Sequence, residues 1–222
     1  MREQPFVHVL GSADWLPSPG NDGSCYTLDG RVLIDTGWSV VVNMINQGME
    51  PLDMDTVLFT HMHADHYMAL PQLILYWRIR RNSLQGLTIV GPQQTVQAAF
   101  DRAFEFVFHD SRSVKAEVLG LPRILPLADG DSLDLPGYDV RVCASDHAAP
   151  GLCYRITHKE SGHTVGFSGD TAYRPAYGDF FRGCDLLVHE ASAGGKEIPP
   201  PNPSRHSNGA DAARVAREAG VK

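Results

Sequence analysis

The sequence lacks long apolar runs. No segment approaches the ~18 consecutive apolar residues of a membrane-spanning helix, and the N-terminal stretch MREQPFVHVLGSADW has no apolar core of signal-peptide length. We therefore expect a soluble, cytoplasmic protein without a membrane segment.

Cysteine is scarce as well. The four cysteines, Cys25, Cys143, Cys153 and Cys184, are widely separated, and none belongs to a C-x-x-C pair. This spacing indicates neither a disulfide framework nor a cysteine zinc knuckle. It predicts reduced, buried thiols.

Positive charge is also in short supply, since the formal net charge is −7. Proteins that grip long nucleic acids neutralise phosphates with clustered Lys and Arg, so we expect no such grip here. One compact basic run, YWRIRRN, contains Arg78, Arg80 and Arg81. It is typical of the solvated C-terminal end of a helix, and phosphate binding is the less favoured alternative.

Short β-rich runs that end in an acid or a histidine recur along the chain. There are five of them: RVLIDTG, which reaches Asp35; TVLFTHMH, which reaches His61; DVRVCASDH, which reaches His147; HTVGFSGDT, which reaches Asp170; and DLLVHEAS, which reaches His189 and Glu190. Helical spacing lies between or after them, at residues 39–48, 65–80, 93–107 and 209–219. This alternation predicts an α/β fold in which helices cover sheet layers, formed as one domain over residues 1–222. Because strand ends gather at one sheet edge, we expect the polar ends to build a single site.

Glycine and proline cluster at residues 17–23, 121–137 and 194–203, which we predict to be loops. In the last of these, three consecutive prolines stiffen the approach to His206. Asn208 and Asp211 are suited to the start of the helix that follows. A histidine on a stiffened loop just before a helix can be held in one orientation toward a site.

The stretch THMHADH contains three histidines and an aspartate. A turn at the strand end can point His61 and His63 the same way, and Asp65 and His66 then project nearby at the start of a helix. The ring nitrogens of His61 and His63 can then bind one metal, and the carboxylate of Asp65 and the imidazole of His66 can bind a second.

Two later residues can complete this arrangement. His147 can supply a third nitrogen to the first metal, and Asp170 can bridge both metals through its two oxygens. Imidazole and carboxylate ligands without thiolate predict Zn, with Mn or Fe as alternatives. The competing interpretation, that these histidines are core or capping residues, suits isolated histidines better than three within six positions.

Ordered motifs connect the chain to a known family. HMHADH, SDH, SGDT, HEAS and RHSN resemble the metallo-β-lactamase superfamily, in particular its ribonuclease Z-like phosphodiesterase branch. The resemblance implies an αββα sandwich. It implies one metal at His61, His63 and His147, a second at Asp65 and His66, and Asp170 between them.

The resemblance also implies roles beyond these metal ligands. Asp35 is similar to a strand-end aspartate that supports the ligand loop by hydrogen bonds; its alternative is a turn residue. His206 is similar to the family's catalytic histidine, and Glu190 is a candidate to orient it. Asp65, His206 and Glu190 are thus the candidate catalytic residues.

Two departures from the family pattern limit this transfer. The interval from His147 to Asp170 is too short for the arm by which bacterial ribonuclease Z grips tRNA, which favours small phosphodiesters or RNA ends as substrates. The chain also stops at EAGVK, before the strand that carries the family's last histidine ligand. We therefore expect a truncated C-terminal end and weak binding of the second metal.

The predicted function is a dinuclear zinc phosphodiesterase in which a metal-held hydroxide attacks phosphorus and His206 assists the leaving oxygen. Two alternatives remain open: a metallo-hydrolase of sulfate esters, lactones or β-lactams, and a catalytically silent binding protein on the same fold. The family also suggests a homodimer, with Tyr76 and Trp77 as interface aromatics or, equally, as ordinary packing residues.

Overall fold

The structure, a computed structural model, describes residues 7–108 and 120–222. The chain forms two compact units that divide between Pro126 and Leu127. In the described part of the chain, no helix is both long and apolar enough to traverse a bilayer.

The first unit contains a six-stranded sheet with the strand order β1-β2-β3-β4-β5-β6. Strands β3, β4 and β5 are parallel, whereas β1 and β2 are antiparallel to their neighbours. The strands are β1 Val7–Gly11, β2 Cys25–Leu28, β3 Val32–Ile34, β4 Thr56–Leu58, β5 Thr88–Pro92 and β6 Arg123–Leu127, and the helices are α1 Val40–Asn46, α2 Ala64–Tyr67, α3 Leu70–Arg81 and α4 Val96–Phe108.

The core of this unit follows from its apolar pattern. Strands β3 and β4 are buried along their whole length, and all of their residues except Thr56 are apolar, as is typical of strands covered on both faces. Helix α3 buries Leu70, Leu73, Ile74 and Trp77, which recur at helical spacing and so form one face. These residues pack in one core with Leu33, Val57 and Phe59.

The second unit contains a five-stranded sheet with the order β11-β10-β9-β8-β7. Strands β10 and β11 are parallel and the other pairs are antiparallel, so β8, β10 and β11 run in the same direction. The strands are β7 Ser132–Leu135, β8 Tyr138–Ala144, β9 Leu152–His158, β10 Thr164–Phe167 and β11 Leu186–Val188, and the helices are α5 Ala176–Phe180 and α6 Gly209–Ala219.

All five predicted strands are present, as β3, β4, β8, β10 and β11. The predicted helical segments are present too, although residues 65–80 form two helices, α2 and α3, with Pro71 in the first turn of the second. The prediction of a loop over 121–137 is wrong, because this range holds β6 and β7. Each lies at the edge of its sheet, where Pro126 in β6 is tolerated.

The basic run ends α3, as predicted. Asn82 caps the helix in a left-handed conformation, and the Arg81 guanidinium lies over the Trp77 ring and donates to the Leu52 carbonyl at 2.6 Å. Trp77 itself is fully buried and donates from Nε1 to the Pro51 carbonyl at 3.3 Å. It is therefore a core residue of its unit, and the suggestion of an interface aromatic is wrong for Trp77.

Candidate metal centre

The HMHADH turn lies between strand β4 and helix α2 in the first unit. His63 immediately precedes α2, and the backbone amide of His66 donates to the His63 carbonyl at 3.0 Å, which closes the turn. The His61 ring centroid lies 4.7 Å from that of His63 and 4.1 Å from that of His66. One tight turn thus gathers three imidazoles, as the sequence spacing predicts.

Asp35 holds this turn from the end of β3, in a left-handed backbone conformation with φ 55°. Its carboxylate accepts hydrogen bonds from the Thr60 amide, the Thr60 hydroxyl and His66 Nδ1, each at 2.8 Å. Complete burial raises the pKa of Asp35, and the contacts with His66 and Thr60 oppose that rise. Because a carboxylate accepts the Nδ1 proton, the lone pair of His66 lies on Nε2.

The donors of the turn are paired in a way that suits a metal. His66 Nε2 lies 3.4 Å from Asp65 Oδ2, so one imidazole and one carboxylate stand side by side. The Thr60 hydroxyl lies 3.2 Å from His61 Nδ1 and gives its own proton to Asp35, so it can accept from His61. Sequence reasoning missed Thr60, whose only signal is a hydroxyl immediately before the first histidine.

In the second unit, three candidate residues follow three strands that run in the same direction. His147 follows β8, Asp170 follows β10 and Glu190 follows β11. His206 comes from the loop before α6, and its ring centroid lies 4.9 Å from that of His147. Donor atoms of Asp170, Glu190 and His206 all lie within 4.8 Å of one another. The strand ends of this unit therefore gather their candidate residues, as predicted.

Glu190 is the direct partner of His206. The distance from His206 Nδ1 to Glu190 Oε1 is 3.0 Å, whereas Asp170 Oδ2 lies 3.9 Å from the same nitrogen. Backbone amides fix the carboxylate, since Glu190 accepts from Thr171 N at 2.7 Å and from Ser192 N at 3.1 Å. The imidazole is thereby held with Nε2 turned away from Glu190.

The loop that carries His206 is tied to the strand ends at several points. The Ser207 hydroxyl is buried and donates to the Thr171 carbonyl at 2.7 Å, and Asn202 Nδ2 donates to the His206 carbonyl at 2.7 Å. Arg205, with φ 52°, donates from Nη1 to the His147 carbonyl at 3.3 Å. Sequence reasoning missed these supports, because hydrogen bonds to backbone carbonyls leave no spacing pattern.

A buried hydroxyl pair supports the loop that leads to His147. The Asp146 amide donates to the Thr171 hydroxyl at 3.0 Å and to the Tyr177 hydroxyl at 2.9 Å, and those two hydroxyls lie 2.7 Å apart. Burial raises the pKa of Tyr177, so its hydroxyl stays protonated. Burial also lowers the pKa of His189, the residue before Glu190, and favours its neutral form.

The donor chemistry fits a divalent metal. Each unit presents imidazole nitrogens and carboxylate oxygens, and His66 has its second ring nitrogen held by a carboxylate, as metal-ligating histidines usually do. Zinc binds such nitrogen and oxygen donors at close range. Among the described residues, the clustered donor atoms come from His, Asp and Glu and include no thiol. Cys25, Cys153 and Cys184 are buried free thiols, and Cys143 is a half-buried one.

Comparison with known proteins decides the family. A family model described as "Beta-lactamase superfamily domain" matches residues 30–222. The chain belongs to the beta-lactamase superfamily. The resemblance drawn from the motifs is therefore confirmed, and the metal-binding character of this fold agrees with the donor sets in the structure.

Relatives of this superfamily member include ribonuclease Z of Methanosarcina mazei, 24% identical over 97% of this chain and 84% of the relative. Ribonuclease Z of Methanopyrus kandleri is 28% identical over 100% of this chain and 85% of the relative. Among solved structures, the short form of human tRNase Z is 20% identical, with a TM-score of 0.79 over 97% of this chain and 89% of that one. These comparisons confirm the predicted α/β fold of the metallo-β-lactamase type and the predicted enzyme class, a metallo-hydrolase of ester bonds.

Proposed function

We propose that this superfamily member is a dinuclear zinc phosphodiesterase, similar to ribonuclease Z, that acts on small phosphodiesters or RNA ends. The observation that carries the proposal is the 3.0 Å hydrogen bond between His206 Nδ1 and Glu190 Oε1. Breaking a phosphodiester expels an alkoxide, which needs a proton, and an imidazole backed by a carboxylate is a suitable donor. The curated relatives named ribonuclease Z support the same reaction class.

The proposed metal ligands are those that the sequence motifs imply: His61, His63, Asp65, His66, His147 and Asp170. Bound zinc would supply Lewis acidity toward the phosphate oxygens and toward the attacking water. Manganese and iron are the alternatives that imidazole and carboxylate donors admit. Asp35 is proposed to orient His66 and the ligand turn.

The chain's own residues carry the proton. We assign His206 Nε2 as the atom that protonates the leaving oxygen, and Glu190 as the positioning residue that stabilises the imidazolium and fixes the ring. The backbone amides of Thr171 and Ser192 hold Glu190 in turn. Because the attacking group is water, the reaction needs no nucleophilic side chain.

We propose that residues 1–222 act as one hydrolase domain, supported by a family match that runs through both compact units. The buried free thiols are in keeping with a reducing, cytoplasmic location. We also propose a homodimer, for which Leu75 and Ile79 on α3 offer exposed apolar surface. Sedimentation equilibrium of the zinc-loaded chain tests this point, and a monomer mass at micromolar concentration would contradict it.

A substrate panel tests the reaction class. The zinc-loaded chain should hydrolyse bis(p-nitrophenyl) phosphate, with much lower kcat/KM toward an aryl sulfate, a lactone and nitrocefin. Preference for one of the last three would replace the phosphodiesterase by another metallo-hydrolase. If the chain is shown to contain metal and hydrolyses none of the four substrates, a catalytically silent binding protein would be favoured.

A further inference from the structure

The second unit contains a cavity of about 420 Å³. This volume lies toward the lower end of the roughly 300–1,000 Å³ that small-molecule pockets span. The cavity is therefore large enough for one small group. Its lining consists of Asp146, Ala172, Tyr173, Ile198, Pro200, Asn202, Arg205 and Asp211.

The cavity wall and two site histidines are built from the same two loops. Asp146 immediately precedes His147, and Arg205 immediately precedes His206. Arg205 Nη1 donates to the His147 carbonyl at 3.3 Å and lies 3.6 Å from Asp146 Oδ1. A group that contacts Arg205 in the cavity would therefore lie close to the loop that carries the imidazole assigned to the leaving oxygen.

The charges of the lining favour a particular kind of group. Two carboxylates, Asp146 and Asp211, face a single guanidinium, Arg205, which already has Asp146 as a partner. A further phosphate in the cavity would be repelled by the excess carboxylate. Hydroxyl groups, in contrast, can donate to the carboxylates and to the Asn202 amide oxygen. One face of the Tyr173 ring is already covered by the Arg214 guanidinium, which lies 4.1 Å from the ring centroid.

We propose that this cavity receives the leaving alcohol of the phosphodiester and selects a neutral, hydroxyl-bearing group, such as a sugar or nucleoside, over one that carries another phosphate. This inference rests on the proposed phosphodiesterase function. Asp146 and Arg205 are then specificity-determining residues with opposite effects. The carboxylate disfavours an anionic leaving group, and the guanidinium limits that penalty.

The test compares two substrates of the zinc-loaded chain. One is uridylyl-(3′→5′)-uridine, whose hydrolysis releases one of its two uridines as a free alcohol. The other substrate carries one additional phosphate on that same uridine. We expect kcat/KM to be about tenfold higher for the neutral leaving group. Asp146→Asn should reduce this ratio about fivefold, and Arg205→Gln should increase it by a similar factor.

The matched control is Asp179→Asn, which makes the same charge change at an exposed position of helix α5 and should leave the ratio unchanged. A merely structural defect in either test variant would slow both substrates alike and leave the ratio fixed, which would overturn the inference. Equal rates for both substrates in the unmodified chain would also overturn it. In either case, continued hydrolysis of bis(p-nitrophenyl) phosphate would leave the proposed function standing, whereas its absence would contradict both.

Discussion

At the scale of single residues, Asp35 and Glu190 have comparable tasks in the two units. Asp35 holds His66 Nδ1 at 2.8 Å and Glu190 holds His206 Nδ1 at 3.0 Å. A carboxylate that accepts the Nδ1 proton fixes the tautomer and the ring plane, so Nε2 remains the working atom. In the proposed mechanism, the same arrangement serves a metal ligand in one case and a proton donor in the other.

Asp35→Asn should weaken metal binding. Asparagine tolerates the left-handed backbone at this position, but it is neutral and holds His66 less firmly, so we expect zinc affinity to fall about 10- to 100-fold. Competition against a chromophoric chelator measures the affinity. Asp53→Asn, an exposed aspartate in the same unit, is the control. Unchanged affinity in Asp35→Asn, with a native circular dichroism spectrum, would remove Asp35 from the metal centre.

His206→Gln should impair only those reactions whose leaving group needs a proton. We expect kcat on uridylyl-(3′→5′)-uridine to fall about 100-fold or more, and kcat on bis(p-nitrophenyl) phosphate, whose leaving group departs as a stable anion, to fall much less. Glu190→Gln should show the same leaving-group dependence at smaller amplitude, because it positions His206. Equal losses on the two substrates would indicate a structural role instead.

The sequence predicted the candidate residues better than their supports. Histidines and acids at strand ends form a visible pattern, so His61, His66, Asp170 and Glu190 could be selected before any coordinates were known. The contacts of Thr60 and Ser207 could not, because each depends on where another strand or loop passes. The pairing of His206 with Glu190 became definite only once α6 and β11 had positions within their unit.

At the scale of elements, helix α6 anchors the loop that carries His206. A capping box holds its first turn: Asn208 Oδ1 accepts from the Asp211 amide at 2.9 Å, and the Asp211 carboxylate accepts from the Asn208 amide at 3.3 Å. At the other end, Gly220 takes the left-handed conformation that commonly ends a helix. Both ends could be predicted from residue type, which is why the predicted range 209–219 coincides with the helix.

Asn208→Ala should destabilise the protein. The substitution removes the cap and the hydrogen bond from Asn208 Nδ2 to the Lys196 carbonyl, so we expect the free energy of unfolding to fall by about 1 kcal/mol. Urea denaturation followed by circular dichroism measures it. Asn208→Asp keeps a capping oxygen and should lose less. If both variants unfold at the urea concentration of the unmodified chain, the cap contributes nothing to stability.

Strands were harder to predict where they lie at sheet edges. Strands β6 and β7 fall in a range rich in proline and glycine, and only two of the nine positions of these strands, Leu127 and Leu135, are buried. The local sequence of β6 and β7 therefore resembles that of a loop. Pairing with a neighbouring strand is what makes each of them a strand. The fully buried β3 and β4 have no such ambiguity, because five of their six residues are apolar and such a run is stable only when it is buried.

At the scale of the whole molecule, the net charge and the short interval between His147 and Asp170 favour the proposed class of small substrates. A net charge of −7 gives no general attraction for a polyanion. The interval between His147 and Asp170 is occupied by β9, β10 and their short connections. We therefore propose recognition by a local site of limited size, and the cavity beside Arg205 is in keeping with that scale.

The central claim is that the strand-end histidines hold catalytic metal, and elemental analysis of the purified, zinc-reconstituted chain tests it most directly. We predict at least about one zinc ion per chain, and its loss when His61→Ala and His63→Ala are combined. His158→Ala combined with His163→Ala, in the β9–β10 hairpin, is the control and should retain the zinc. A chain that binds no stoichiometric metal, or a His61/His63 double variant that binds as much as the control, would contradict the account.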